Sequence, residues 1–337
     1  MAWTQPCTRG RRLQWSTSRQ GVLNAFATEQ APSTILADLV SGGLVAPLPG
    51  QGRTAERFAL LAEIGSCDLA LARLAEGHLD ALAILVEAGR AAPPDAILGV
   101  WAAGGGPEPV CASRVPGGWL LAGRKPYASG ASILTHALVT AGAPDGPRLF
   151  LVETAGTTTP VANTWNAVGM HASDSPDVEI EATVPDSAAL GGTDWYVRRP
   201  GFWHGAIGVA ACWLGGAQAV AVPLRQARSE HAFAHLGAID AELTAAAVMI
   251  DDAARSIDAD PHLGGLTAEL RARRVRVVVE AAASDVIVRV GRALGAGPLC
   301  HDAQHARRVA DLTVYLRQSH AEVDLERLGR LSVTGVR

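Results

Sequence analysis

Tyr127 and Ser129, two residues apart, pair a flat aromatic ring with a hydroxyl, and Gly130 follows them. Side chains two apart in an extended strand share a face. The pair therefore predicts a ring-and-hydroxyl surface suited to a planar heteroaromatic ligand, or else a plain half-buried strand with a turn serine. Imidazoles are the second candidate group. His78 falls on an apolar stripe with Leu71, Leu74, Leu82 and Leu85, His204 follows Trp203 at the start of a helical stretch, and His320 continues a stripe of Val309, Leu312 and Leu316 toward Val323. With an ordinary pKa of ~6.5, histidine can carry protons at neutral pH; a core histidine satisfied by its neighbours is the competing reading. Arg271, Arg273, Arg274 and Arg276 read as a solvated helix face, with a phosphate or carrier-protein contact as the alternative.

The elements that must position these groups follow from periodicity and punctuation. Residues 1–18 read as a loose tail, and 19–95 as helical, with Ser66 capping a helix that starts near Cys67 and Pro93-Pro94 closing the block. Residues 96–195 turn to period two. Gly117-Gly118 and Gly123 bracket Trp119-Leu120-Leu121, and Ala137–Thr140, Arg148–Val152 and Val178–Val184 are further strands. Gly104-Gly105-Gly106 reads as a loop. From 196 to 337 the period returns to 3.6, with apolar stripes Ile207/Ala211/Leu214, Ile239/Leu243/Ala246/Ile250 and Val279/Ala283/Val286/Val290 before Gly295 and Gly297-Pro298. The 309–323 stripe completes an antiparallel four-helix bundle. The fold class is α+β: an N-terminal helical domain, a small middle β domain and a C-terminal bundle.

Composition bounds the function. The 337 residues are 48% hydrophobic and 18% charged, as in a well-buried globular chain. A net charge of −4 gives no reason to expect nucleic acid. Arg9, Arg11 and Arg12 have no apolar run behind them, so a secretory signal is not expected, and neither is a membrane span. Five dispersed cysteines without a CxxC argue for reduced thiols in the cytoplasm and against a disulfide framework or a zinc site. No glycine fingerprint opens a helix after a strand, so neither a Rossmann site nor a P-loop is expected.

The domain order and three segments resemble the acyl-CoA dehydrogenase family of flavoproteins. Gly118-Trp119-Leu120-Leu121-Ala122-Gly123-Arg124-Lys125 is similar to its glycine-flanked hairpin. Tyr127-Ala128-Ser129-Gly130 stands where the family sets an aromatic and a Ser/Thr against the flavin, and Gly169–Ser175 resembles its G-M-R-x-S segment. The resemblance implies FAD held by Trp101, Tyr127, Ser129 and Gly130. Arg225 and the Gly295/Gly297 turn would reach the dinucleotide of a neighbouring subunit, in a homodimer or homotetramer. It also implies an acyl-CoA or acyl-carrier-protein substrate, α,β-dehydrogenated with a glutamate as base. The two places for that base fall here at Ser319-His320 and at His204-Gly205, neither a carboxylate, with Glu322 a short register shift away. Monooxygenases that share the fold lack the glutamate, and the trio His78, Ser129 and His320 is similar to theirs. The alternatives are therefore a monooxygenase using reduced flavin and O2, and a flavin-less paralogue acting as a binding partner.

Overall fold

A computed structural model describes residues 30–106 and 108–333, so the expected loose tail lies outside the described residues. Among the described residues three helices come first: α1 Pro32–Ser41, α2 Thr54–Cys67 and α3 Leu69–Glu87. Asp68, not Ser66, caps α3, its carboxylate accepting from the Leu71 N–H at 2.9 Å. Ser66 lies inside α2, where its hydroxyl donates back to the Glu63 carbonyl and so starts no new helix.

Eight strands follow: β1 Leu98–Trp101, β2 Cys111–Val115, β3 Gly118–Lys125, β4 His136–Ala143, β5 Gly146–Glu153, β6 Thr158–Pro160, β7 Val178–Pro185 and β8 Ala189–Leu190. They form one sheet in the order β6-β7-β3-β2-β4-β5-β8, with β1 parallel to β4. β7 alternates buried and exposed along its whole length, its acidic Glu179 and Glu181 outward, as a one-sided sheet requires. β2 and β4 meet only at Cys111 and Gly142. In the cleft where they part, the buried Lys125 ammonium donates to the Ala103 carbonyl (3.2 Å) and the Thr140 hydroxyl (3.0 Å). Gly104 and Gly105 line this cleft of about 160 Å3, and burial lowers the Lys125 pKa to about 8.

The helices then resume: α4 Trp195–Arg198, α5 Pro200–Ala221, α6 Glu230–Ala259, α7 Gly265–Leu294, α8 Gly297–His301, α9 Ala303–Tyr315 and α10 Glu322–Val333. The expected faces of α6 and α7 are buried at Ile239, Leu243, Ala246 and Ile250 and at Val279, Ala283, Val286 and Val290. One hydrophobic core joins α1–α3 to α5–α7 and α9, and Trp101, Trp119 and Phe150 belong to a separate core in the sheet. α5 and α6 are long and apolar enough to cross a membrane, but 83% of the apolar window of α5 is buried inside this core, against 22% for α6.

The expected fourth bundle helix is broken. α9 ends at Tyr315, a single 3-10 turn spans Leu316–Gln318, and Ala321 takes the left-handed region at φ 44° before α10 begins. Asp324 accepts from the His320 N–H at 3.0 Å and so starts a new helix in place of the continued one. Leu312 and Leu316 are buried as expected, whereas Val323 is 69% exposed.

Two glycines let α2 and α5 touch backbone to backbone. A Cβ on Gly215 would overlap the Ala62 carbonyl oxygen, and one on Gly65 would overlap that of Cys212. Gly215→Ala is expected to destabilise the fold by about 1–3 kcal/mol through overpacking. Gly237→Ala, on an exposed face of α6 with open space around it, is expected to stabilise by about 0.5–1 kcal/mol. Urea unfolding of the two variants checks the pair.

Candidate functional site

Tyr127 does not share a strand face with Ser129. β3 ends at Lys125, and Tyr127 sits in the left-handed region at φ 55° with its ring 65% exposed. The chain turns there because backbone bonds tie residues 128–132 to a second loop. Ala128 N–H donates to the Pro176 carbonyl, Gly130 N–H to the carbonyls of Ser173 and Asp174, and Ser132 N–H to the Asp174 carboxylate. Trp101 fixes the turn from the sheet side, its indole N–H donating to the Ser129 carbonyl at 3.1 Å. Trp101, Ser129 and Gly130 thus lie together, joined by a turn and not by a strand.

The second loop is anchored on the helices. Gly169 passes so close to α9 that a Cβ would strike the Ala310 carbonyl, and the Met170 N–H donates to the buried Asp311 carboxylate. Met170 and Asp174 also adopt left-handed φ, 60° and 45°. Together with Tyr127 they place three strained non-glycine residues at one joint, a pattern that marks functional segments.

Ser129 is half-buried at this joint. Its Oγ accepts from the Arg73 guanidinium (3.2 Å) and from the Ser175 hydroxyl (2.9 Å). Ser175 lies 2.8 Å from Ser173, whose hydroxyl donates to the Met170 carbonyl. With Arg73 and Ser175 both donating to Ser129, its own O–H remains to donate. Arg73 also donates to Glu76 at 2.6 Å, both on α3 and nearly sealed from water, and burial pushes the Glu76 carboxyl up to about 6. The sequence reading missed Arg73, Glu76 and Ser175. The (i, i+3) spacing of the first two looks like any surface ion pair on a helix; only their position on an otherwise buried helix set them apart. A cavity of about 10 Å3 between Arg73, Gly77, Gly99, Ser129 and Leu134 has room for about one water. A ring system beside Ser129 must therefore lie on the outer face of the joint.

The histidines are placed elsewhere. His78 is buried, and its Nδ1 accepts from the Leu98 N–H at 3.1 Å, which leaves the ring proton on Nε2. Burial holds its pKa down to about 4, so it is a neutral strand anchor. His320 is exposed, its ring 3.9 Å from Asp324, because it sits in the break and not on the apolar stripe. Ser319 is buried beside it, while Glu322 is exposed in the first turn of α10; no hydrogen bond or ion pair joins Ser319, His320 or Glu322 to Ser129. His204 is buried in the first turns of α5, also held near 4 by burial and by the charge of Arg271. Arg225 lies half-exposed in the 3-10 turn Val222–Gln226, and Gly295 and Gly297 form an exposed turn after α7.

The arginines of α7 are not a solvated face. Arg273 pairs with Glu269 and Asp324, and Arg276 donates to the carbonyls of Ala206 and Gln318 while lying 4.5 Å over the Trp213 ring. Of the four, only Arg274 is exposed.

No protein-family model and no curated protein matches the chain. Solved structures do match, over nearly its whole length. TdsC from Paenibacillus sp. A11-2, in complex with FMN and indole, superposes with a TM-score of 0.79 at 16% identity, over 94% of this chain and 95% of that one. KijD3 in complex with FMN and dTDP-3-amino-2,3,6-trideoxy-4-keto-3-methyl-D-glucose gives 0.77 at 20% identity, over 95% and 91%. XiaF from Streptomyces sp. with FADH2 and glycerol gives 0.74 at 18% identity, over 94% and 91%. The chain has the acyl-CoA dehydrogenase-like α+β fold.

The buried imidazoles make stability depend on pH. In the unfolded chain His78 and His204 take up protons near 6.5, whereas in the fold they resist until about 4. Their contribution is complete above 6.5 and is lost as the pH falls from 6.5 through 4. Stability is expected to drop over that window, at up to ~1.4 kcal/mol per pH unit for each group. His78→Gln should flatten the drop, as read from urea midpoints at several pH values.

Proposed function

We propose that the chain is a flavin-dependent oxidoreductase whose flavin lies against Ser129, and that it works as a monooxygenase with reduced flavin and O2. One observation carries this reading. The hydroxyl of Ser129, fixed by Arg73 and Ser175, has its own O–H free to donate at the joint between sheet and helices. That hydroxyl fits a ring edge that accepts hydrogen bonds, and the exposed Tyr127 ring offers apolar surface beside it in the chain. When bound, a flavin supplies redox chemistry and reactivity toward O2 that no amino-acid side chain has.

The chain's own groups then orient the ring and favour negative charge near it. Arg73 places a guanidinium on the Ser129 oxygen, and its partner Glu76 is the carboxylate closest in the bonding chain, held in a buried ion pair. The carboxylates at the joint are engaged, Glu76 by Arg73 and Asp174 by the Ser132 N–H, and a site so rich in donors suits the stabilisation of reduced oxygen better than removal of a carbon-bound proton. The outward position of the ring agrees with a second copy closing over it. The solved structures of the same fold support a flavin, FMN or FAD; TdsC is described as a dibenzothiophene monooxygenase.

Acyl-thioester dehydrogenation is the second reading, carried by the resemblance of the Gly118–Gly130 and Gly169–Ser175 segments. Purified protein titrated with FMN and FAD, oxidised and reduced, is expected to bind one of them. Ser129→Ala should weaken the complex about tenfold, as for one lost hydrogen bond. Oxygen mixed with the reduced complex should restore the oxidised spectrum in two resolved phases. Anaerobic bleaching by acyl-CoA would favour the dehydrogenase, and failure to bind either flavin would sink both readings.

A further inference from the structure

A second cluster, away from Ser129, lies where the start of α5, the end of α6 and the start of α7 converge. The Nε and Nη2 atoms of Arg271, which together form one edge of the guanidinium fork, are sealed from solvent and bonded to nothing. The Nε2 atom of His204, on a side chain only 3% exposed, is equally sealed and unpaired. The helix starts that carry them meet here: Gly264, just before α7, lies against the Pro200 ring of α5, and Arg276 of α7 donates to the Ala206 carbonyl of α5. A buried donor left unmade costs about 1–3 kcal/mol, so the two guanidinium nitrogens call for a partner, and the imidazole nitrogen, donor or acceptor by tautomer, is a third unmet group beside them.

The surrounding carboxylates do not provide it. Asp258 is used by α2, accepting from the N–H groups of Gly52 and Thr54 and from the Thr54 hydroxyl. Glu269 is held by Arg273 and Arg327, and Glu87 by Arg199, which also lies 3.9 Å from Asp80. Asp252 pairs with Arg255, and Asp252 and Asp260 both act on Arg271 only through space, without a hydrogen bond to its sealed nitrogens.

We infer that Arg271 and His204 form a binding site for an oxyanion, the carboxylate or phosphate group of a small molecule. Two parallel N–H groups on one guanidinium edge match two oxygens of such a group, and the imidazole nitrogen meets the same group from α5. This site is independent of the flavin reading, because none of its residues bonds to the Ser129 cluster.

Isothermal titration of the full chain, dialysed into chloride buffer, with inorganic phosphate and separately with acetate at matched ionic strength tests it. The expected result is a single site for at least one anion, the tighter of the two naming the class. Arg271→Lys keeps the charge but removes the fork, and should weaken binding about tenfold or more. The exposed Arg274→Lys should leave it unchanged. The anion should also raise the thermal midpoint of the parent chain and not that of Arg271→Lys. Absence of binding by both anions, or equal affinity in Arg271→Lys, would overturn the site and leave water as its occupant.

Discussion

The joint between sheet and helices depends on one small donor. The Gly130 N–H is shared between the carbonyls of Ser173 and Asp174, at 3.0 and 2.8 Å, and this holds the turn after β3 against the loop before β7. Three residues in left-handed backbone, Tyr127, Met170 and Asp174, are tolerated around it, each at a cost on the order of 1–3 kcal/mol. The surrounding bonds, from Ala128, Ser132, Trp101 and Asp311, offset that cost. The orientation of Ser129 is therefore a property of two loops and a helix acting together.

How far the sequence could be read depends on how local each feature is. The stripes of α6 and α7 were legible because each repeats over many residues on one helix, and the alternation of β7 likewise. Tyr127 was misplaced because the bonds that turn its backbone come from residues 173–176, far along the chain. The fourth helix looked continuous because its apolar spacing survives the break; the competing bond, Asp324 to the His320 N–H, has no periodic signature. Arg273 and Arg276 looked solvated because their partners lie on other elements, Asp324 and Gln318 among them.

The same non-locality decided the chemistry. The imidazoles looked like proton carriers by type, yet His78 is bound to the first residue of β1 and His320 points toward Asp324. The groups that do meet Ser129, namely Arg73 and Ser175, are unremarkable in sequence and come from elements on either side of it. A serine held by a guanidinium and a second hydroxyl is preorganised to donate in one direction. That geometry shifts the reading from proton abstraction toward holding charge.

The break before α10 has a consequence for how the end of the described chain is attached. Of α10 only Leu331 is buried, and the helix is tied to α7 by Arg273–Asp324 and Arg327–Glu269. Added salt weakens the half-exposed Arg327–Glu269 pair more than the enclosed Arg273–Asp324 pair, while high concentrations of sulfate strengthen the apolar contact of Leu331. The terminal helix thus keeps an enclosed ion pair and an apolar anchor when its outer charge pair is screened.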